Sequence, residues 1–132
     1  MIWITVLFAL FLIGLIVLAD MGKLHFLLRV MTSIPYGDKV AHFFLIGVLS
    51  FLVNRTAMQL FPRQSPQRMS MIVTLFLLAM FTIEEVSQAP ISGRDASFAD
   101  LVTNYAGIVF FALLAYKIGQ KVKDTLVVKS VE

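Results

Sequence analysis

Four long runs of apolar residues alternate with short polar segments along the chain. The runs cover about residues 1–19, 39–58, 69–88 and 98–118. A helix that crosses a bilayer needs about 20 mostly apolar residues, and each run has roughly that length. The runs lack the period-two alternation that is typical of membrane strands. The pattern therefore predicts an all-α membrane protein, a single domain in which four transmembrane helices form a bundle.

The segments between the runs contain residues that end helices. Pro62 and Pro66 indicate a loop after the second run. Pro90 ends the third run, because the residue before a proline is biased away from helix. Residues 23–32 predict a short interfacial helix between the first two runs. Its apolar face would carry Leu24, Leu27, Leu28 and Met31.

The composition agrees with a membrane protein. The 132 residues are 59% hydrophobic and 14% charged, and their mean hydropathy is +0.89. A soluble domain of this size could not bury so much apolar surface. The chain has no cysteine, which excludes disulfides, thiolate metal sites and a cysteine nucleophile.

The positive charges predict an orientation rather than a nucleic-acid partner. Four spans place the termini and the second connector on one side, with seven basic residues, and leave four on the other side. The positive-inside rule then predicts a multi-pass protein of the cell (inner) membrane with both termini in the cytoplasm. Residues 1–19 carry no charged side chain and exceed the usual signal-peptide core, so we expect a retained first span.

With this orientation, polar residues from distant segments meet at the outer side. Asp38, Lys39 and His42 begin the second span, Glu84, Glu85 and Gln88 end the third, Arg94 and Asp95 lie in the outer loop, and Asp100 and Asn104 begin the fourth. Helical spacing places Asp38 and His42 on one face. It also aligns Asp100, Asn104, Gly107 and Phe111 along one stripe. Spacing alone does not choose between Glu84 and Glu85, which point about 100° apart.

The chain resembles the VanZ-like family of small membrane proteins. The resemblance rests on GDKVAHFFLIGVLSFL, EVSQ, GRDASFAD and NYAG, which together span residues 37–107. It implies a small helical membrane protein, and the family's namesake is linked to resistance to the glycopeptide teicoplanin. Carried over position by position, it implies a site made of Asp38, Lys39, His42, Glu85, Gln88, Arg94, Asp100 and Asn104. The resemblance thus favours Glu85 over Glu84.

Most of these residues have a structural alternative. Asp38 and Asp100 could be helix N-caps, and His42 and Asn104 could only join neighbouring helices. Lys39 and Arg94 could contact lipid phosphates, Glu84 could be a solvated interface residue, and Asp95 could end a turn. Glu85 has the weakest alternative, because a carboxylate at the bilayer centre costs about 2.5–3.5 kcal/mol and less near an interface.

Three functions remain open. In the first, Lys39 and Arg94 hold an anionic lipid head group or a lipid-linked wall precursor. In the second, the protein is an enzyme with candidate catalytic residues His42, Glu85 and Asp100, and His42 acts as the acid or base. In the third, the polar cluster is a scaffold for a membrane protein partner. No cofactor or resident metal is predicted, although a divalent ion held by the three candidate catalytic residues is a variant of the second hypothesis.

The orientation can be tested with reporter fusions. Alkaline phosphatase needs an oxidising compartment to form its disulfides. We expect a fusion after Lys129 to be inactive and a fusion after Ser92 to be active. The opposite pattern would place the polar residues on the cytoplasmic side.

Overall fold

Five α-helices make up the described part of the chain. The computed structural model describes residues 1–88 and 98–132. The helices are α1 (Ile2–Asp20), α2 (His25–Ser33), α3 (Gly37–Leu60), α4 (Pro66–Gln88) and α5 (Phe98–Val131). The described residues contain no strand. Except for α2, each helix is long and apolar enough to cross a membrane, which confirms the prediction of four such helices.

The last helix is longer than the apolar run that predicts it. α5 has 34 residues and is therefore about 51 Å long, whereas the hydrocarbon core of a bilayer is about 30 Å thick. The sequence predicted an end near residue 118. Apolarity ends near that position, but the residues that follow contain no proline and only one glycine, Gly119, so the helix continues to Val131.

Left-handed residues mark both turns that flank α2. Gly22 has φ +69°. The backbone N–H of Gly22 donates a hydrogen bond of 3.0 Å to the carbonyl of Ala19, and the backbone N–H of Lys23 donates one of 3.0 Å to the carbonyl of Leu18. This pair of bonds is a Schellman motif, which closes α1. Tyr36, at φ 60°, precedes α3 as its N-cap residue, so Asp38 lies in the first turn. The N-cap alternative for Asp38 is therefore wrong.

The closest helix packing joins α3 to α5. A Cβ added to Gly107 would lie 2.6 Å from the carbonyl oxygen of Phe43, so the missing side chain lets the two backbones approach. The ring of Phe43 packs against that of Phe111, with centroids 5.8 Å apart. Ser50 donates a hydrogen bond of 2.9 Å to the carbonyl of Ile108. The predicted stripe on α5 therefore does face another helix.

The remaining helices all contact α3, and α4 also packs against α5. The core consists of Leu12 from α1, Ile46 and Leu49 from α3, Val73, Leu77 and Phe81 from α4, and Ile108 from α5. α1 packs mainly on α3, where the hydroxyls of Thr5 and Thr56 lie 2.7 Å apart. Most of the other α1 side chains are apolar and exposed, as lipid-facing residues are.

The close approach at Gly107 predicts a steric effect. We expect Gly107→Ala to lower the free energy of unfolding by about 1–3 kcal/mol, because the new methyl group meets backbone atoms that cannot rotate away. Gly14→Ala is the matched control, since a Cβ there has nothing within 4 Å. It should be neutral or stabilise the protein by up to about 1 kcal/mol. Equilibrium unfolding in mixed detergent micelles measures both. Equal tolerance would show that α3 and α5 are not in tight contact.

Candidate functional site

An ion pair joins the first turns of α3 and α5. The Nζ of Lys39 lies 3.1 Å from Oδ1 of Asp100 and 3.5 Å from Oδ2 of Asp38. The side chain of Lys39 is 32% exposed and that of Asp100 25% exposed. Asp100 also borders the cavity described below, so the pair lies at the rim of that cavity. Asp100 is inside α5 and bonds to another helix, so it is not an N-cap residue.

One turn deeper, a second polar contact joins the same two helices. The Nδ1 of His42 lies 3.3 Å from Oδ1 of Asn104, whose side chain is buried. An amide oxygen accepts hydrogen bonds, so the tautomer of His42 with its proton on Nδ1 donates to Asn104. This contact orients the ring of His42.

The third helix of the site contributes two glutamates. Glu85 is buried, with 8% of its surface exposed, and Glu84 is half-buried. Both border the same cavity as His42 and Asp100. The predicted convergence of His42, Glu85 and Asp100 is therefore present in the structure. Glu84 is an addition to the set of residues that the resemblance implies, because the resemblance favoured Glu85.

These side chains form one wall of a cavity of about 210 Å³. The polar wall is made of His42, Glu84, Glu85, Asp100 and Asn104. α1, the α1–α2 turn and α2 contribute only apolar residues to the lining, namely Leu12, Leu15, Ile16, Ala19, Leu24, Leu27 and Met31, and these make up its apolar wall. Ala41, Leu45, Ile46 and Phe81 complete the lining. A space with one polar and one apolar wall fits a molecule that is itself amphipathic.

Other predicted residues do not line the cavity or lie outside the described part of the chain. Asp38 and Lys39 form the ion pair at the rim. Arg94 and Asp95 lie outside the described residues, as does the side chain of Gln88. Within residues 1–88 and 98–132, no group of three or more histidine, aspartate or glutamate side chains could hold a metal ion. The metal variant of the enzyme hypothesis therefore has no support in this part of the chain.

Sequence reasoning missed a second set of polar contacts. The hydroxyls of Thr82 and Tyr105 bond between α4 and α5. Asn54 is fully buried, and its Nδ2 donates a hydrogen bond of 2.8 Å to the carbonyl of Ser50. Its Oδ1 is the one fully buried side-chain nitrogen or oxygen atom without a hydrogen-bond partner among the described residues. Ser50 and Asn54 are four positions apart within an apolar run, which was the available signal for a buried polar layer.

Comparison with known proteins adds no relative. No family model, no curated protein and no solved structure matches the chain.

The contact between His42 and Asn104 can be tested by crosslinking. The chain has no cysteine, so a pair introduced as His42→Cys and Asn104→Cys has no background. We expect a short bifunctional thiol reagent to link this pair efficiently. Val40→Cys with Val102→Cys is the control. Both valines are exposed. Val40 lies about 200° around α3 from His42, and Val102 lies about 200° around α5 from Asn104, so both face away from the contact. Equal linkage of both pairs would contradict the observed helix register.

Proposed function

We propose that the protein is a multi-pass membrane protein of the cell envelope that binds a lipid or a lipid-linked wall precursor. In this proposal the four long helices form a bundle across the inner membrane, with both termini in the cytoplasm. α2 lies at the outer interface, beside the rim of the cavity. A binding protein of this kind needs a site that a membrane amphiphile can reach and fill.

The observation that carries the proposal is the divided lining of the cavity. α1 and α2 contribute only apolar residues to it, and all of its polar lining residues come from α3, α4 and α5. Glu85 is buried inside a helix that is long enough to cross a membrane, where ionisable residues are rare and mark functional sites. The polar wall accepts a head group, while the apolar wall is continuous with the exposed apolar surface of α1.

The ion pair at the rim gives the anionic part of such a ligand a place to bind. Lys39 is partly exposed, and its partner Asp100 also borders the cavity. A phosphate that approaches the rim can share Lys39 without leaving water completely. Arg94, which the sequence analysis assigns to the same level, would add a planar donor group suited to phosphate.

The resemblance to VanZ-like proteins agrees with this proposal. Four of the positions that it implies border one cavity, namely His42, Glu85, Asp100 and Asn104, and Asp38 and Lys39 lie at its rim. The biological setting that it implies is the response of the cell wall to teicoplanin-type glycopeptides.

The oriented imidazole supports a second candidate, an enzyme that acts on the same lipid. His42 is held by Asn104 and borders the cavity together with two glutamates. In that role His42 would transfer a proton to or from the bound lipid.

The proposal predicts that the protein retains an amphiphile during purification. We expect lipid extracts of the protein, isolated in mild nonionic detergent, to contain about one tightly held molecule per chain. Leu15→Trp should remove it, because the indole ring fills the apolar side of the cavity. Leu10→Trp is the control, since Leu10 lies on the same helix, is exposed and does not border the cavity. Mass spectrometry of the extracts measures retention.

Two other results would change the assignment. If neither the unaltered protein nor Leu10→Trp retains an amphiphile, the cavity is not a lipid site and the scaffold hypothesis replaces it. If the unaltered protein holds a cleaved lipid and His42→Asn holds the intact one, the protein is the enzyme.

A further inference from the structure

A groove lies between α4 and α5, at the opposite end of these helices from the cavity. This α4–α5 groove has a volume of about 300 Å³. Ser70 and Ala112 are buried and form its floor, whereas Met71, Leu75 and Leu113 are exposed along its sides. The remaining lining residues are Gln67, Thr74, Val109 and Tyr116. The groove therefore opens on the outer surface of two helices that are long enough to cross a membrane.

The hydroxyl groups of the α4–α5 groove lack the hydrogen bonds that other hydroxyls of the protein make. In residues 1–88 and 98–132, every serine, threonine and tyrosine hydroxyl takes part in a hydrogen bond, except those of the exposed Tyr36 and of Ser70, Thr74 and Tyr116. The last three all border the groove. Ser70 is only 9% exposed, and a buried polar group without a partner is costly. These donors therefore fit a ligand that brings acceptor oxygens into the groove.

The charged side chains at this end of α4 and α5 are basic. Arg68 follows Gln67 at the start of α4, and Lys117 follows Tyr116 on α5, and both basic residues are exposed. The sequence has no acidic residue from position 39 to 83 or from 101 to 123. The positive end of the helix dipole of α4 lies at the same end. This charge distribution is complementary to an anionic group.

We propose that the α4–α5 groove binds an anionic phospholipid from the leaflet on the side of both termini. The phosphate lies between Arg68 and Lys117, and one acyl chain runs down the groove. The hydroxyls of Ser70 and Tyr116 donate to the phosphate or ester oxygens. This site is separate from the cavity and does not depend on the ligand proposed there.

The length of the α4–α5 groove fits an acyl chain. From Gln67 to Leu75 the groove follows α4 for about 12 Å. The hydrocarbon of one leaflet is about 15 Å deep, half of the bilayer core. A chain that enters beside Gln67 can therefore remain in the groove through most of its leaflet.

The shape of the α4–α5 groove favours an acyl chain over a helix from a second copy of the protein. Helices in membranes pack closely where small residues line the contact. Here the small residues Ser70 and Ala112 lie below Met71, Leu75 and Leu113, whose exposed fractions are 56–60%. A helix with its side chains is about 10–12 Å across, so these protruding side chains keep it from the floor. An acyl chain is thin enough to pass between them.

The test uses the full chain in phosphatidylcholine nanodiscs that also contain phosphatidylglycerol with the same acyl chains. Native mass spectrometry counts both lipids on the released protein. Each basic residue near a membrane surface strengthens the binding of an anionic lipid about fivefold. With two such residues at the α4–α5 groove, we expect phosphatidylglycerol to be enriched about 25-fold over its share of the disc.

Charge variants test the phosphate end of the α4–α5 groove. Arg68→Gln and Lys117→Gln should each lower the enrichment about fivefold, and together they should bring it near parity. Lys129→Gln is the matched control, since it removes the same charge from α5 at a point about 18 Å beyond Lys117. It should change the enrichment less than about twofold. The altered residues are exposed, so these variants test the proposal even if a groove variant does not fold.

A second variant tests the α4–α5 groove itself. Val109→Trp places an indole ring in the apolar end and leaves every basic residue in place, so it should abolish the enrichment. Leu114→Trp is the control, because Leu114 is exposed on the same helix and does not border the groove. The cavity is intact in both variants, so any lipid that it holds contributes equally to both counts.

Three results would overturn the proposal. Enrichment that persists in Val109→Trp, or that Lys129→Gln lowers as much as Lys117→Gln does, would show that the lipid responds to overall charge. A released dimer that Val109→Trp converts to a monomer would show that a second copy occupies the α4–α5 groove. Absence of any enrichment would exclude the groove site alone, because the proposed function is decided by the lipid that Leu15→Trp removes from the cavity.

Discussion

The close packing of α3 against α5 determines where the polar side chains of this protein lie. Between helices in a membrane there is little hydrophobic driving force, because lipid tails are as apolar as the side chains. Contact therefore depends on how near the backbones can come, and Gly107 against the carbonyl of Phe43 permits a close approach. That contact sets the relative register of the two helices. The register then places Lys39 beside Asp100 and His42 beside Asn104.

The same constraint explains why the polar contacts form layers. Hydrocarbon offers no partner to a polar group, so most polar groups in a spanning helix bond within the protein, with Oδ1 of Asn54 as an exception among the described residues. The layers on α3 follow one another along its length, from Lys39 and His42 near its start to Ser50 and then Thr56. Each layer joins α3 to α5 or to α1. α3 is thus the common element of these layers, whereas Thr82 and Tyr105 join α4 to α5 separately.

Much of the fold could be predicted from sequence, because length and apolarity decide whether a helix can span a membrane. The end of α5 could not, since the helix continues past Lys117 through a less apolar segment that contains no proline to stop it. His42, Asp100 and Asn104 could be predicted as site residues because polar groups in apolar runs face other helices. Their pairing could not, because spacing within one helix does not reveal its register with another. The cavity wall made by α1 and α2 could not be predicted for the same reason.

The loose attachment of α1 has a consequence for how the cavity communicates with its surroundings. α1 packs mainly on α3, yet it supplies part of the apolar wall through Leu12 and Leu15. Under the proposed function, a molecule held behind α1 would exchange sideways with the surrounding leaflet rather than through water. Its occupancy would then follow the mole fraction of that molecule in the leaflet, a concentration in two dimensions. The protein would respond to changes in membrane composition even when the aqueous concentration of the same compound is negligible.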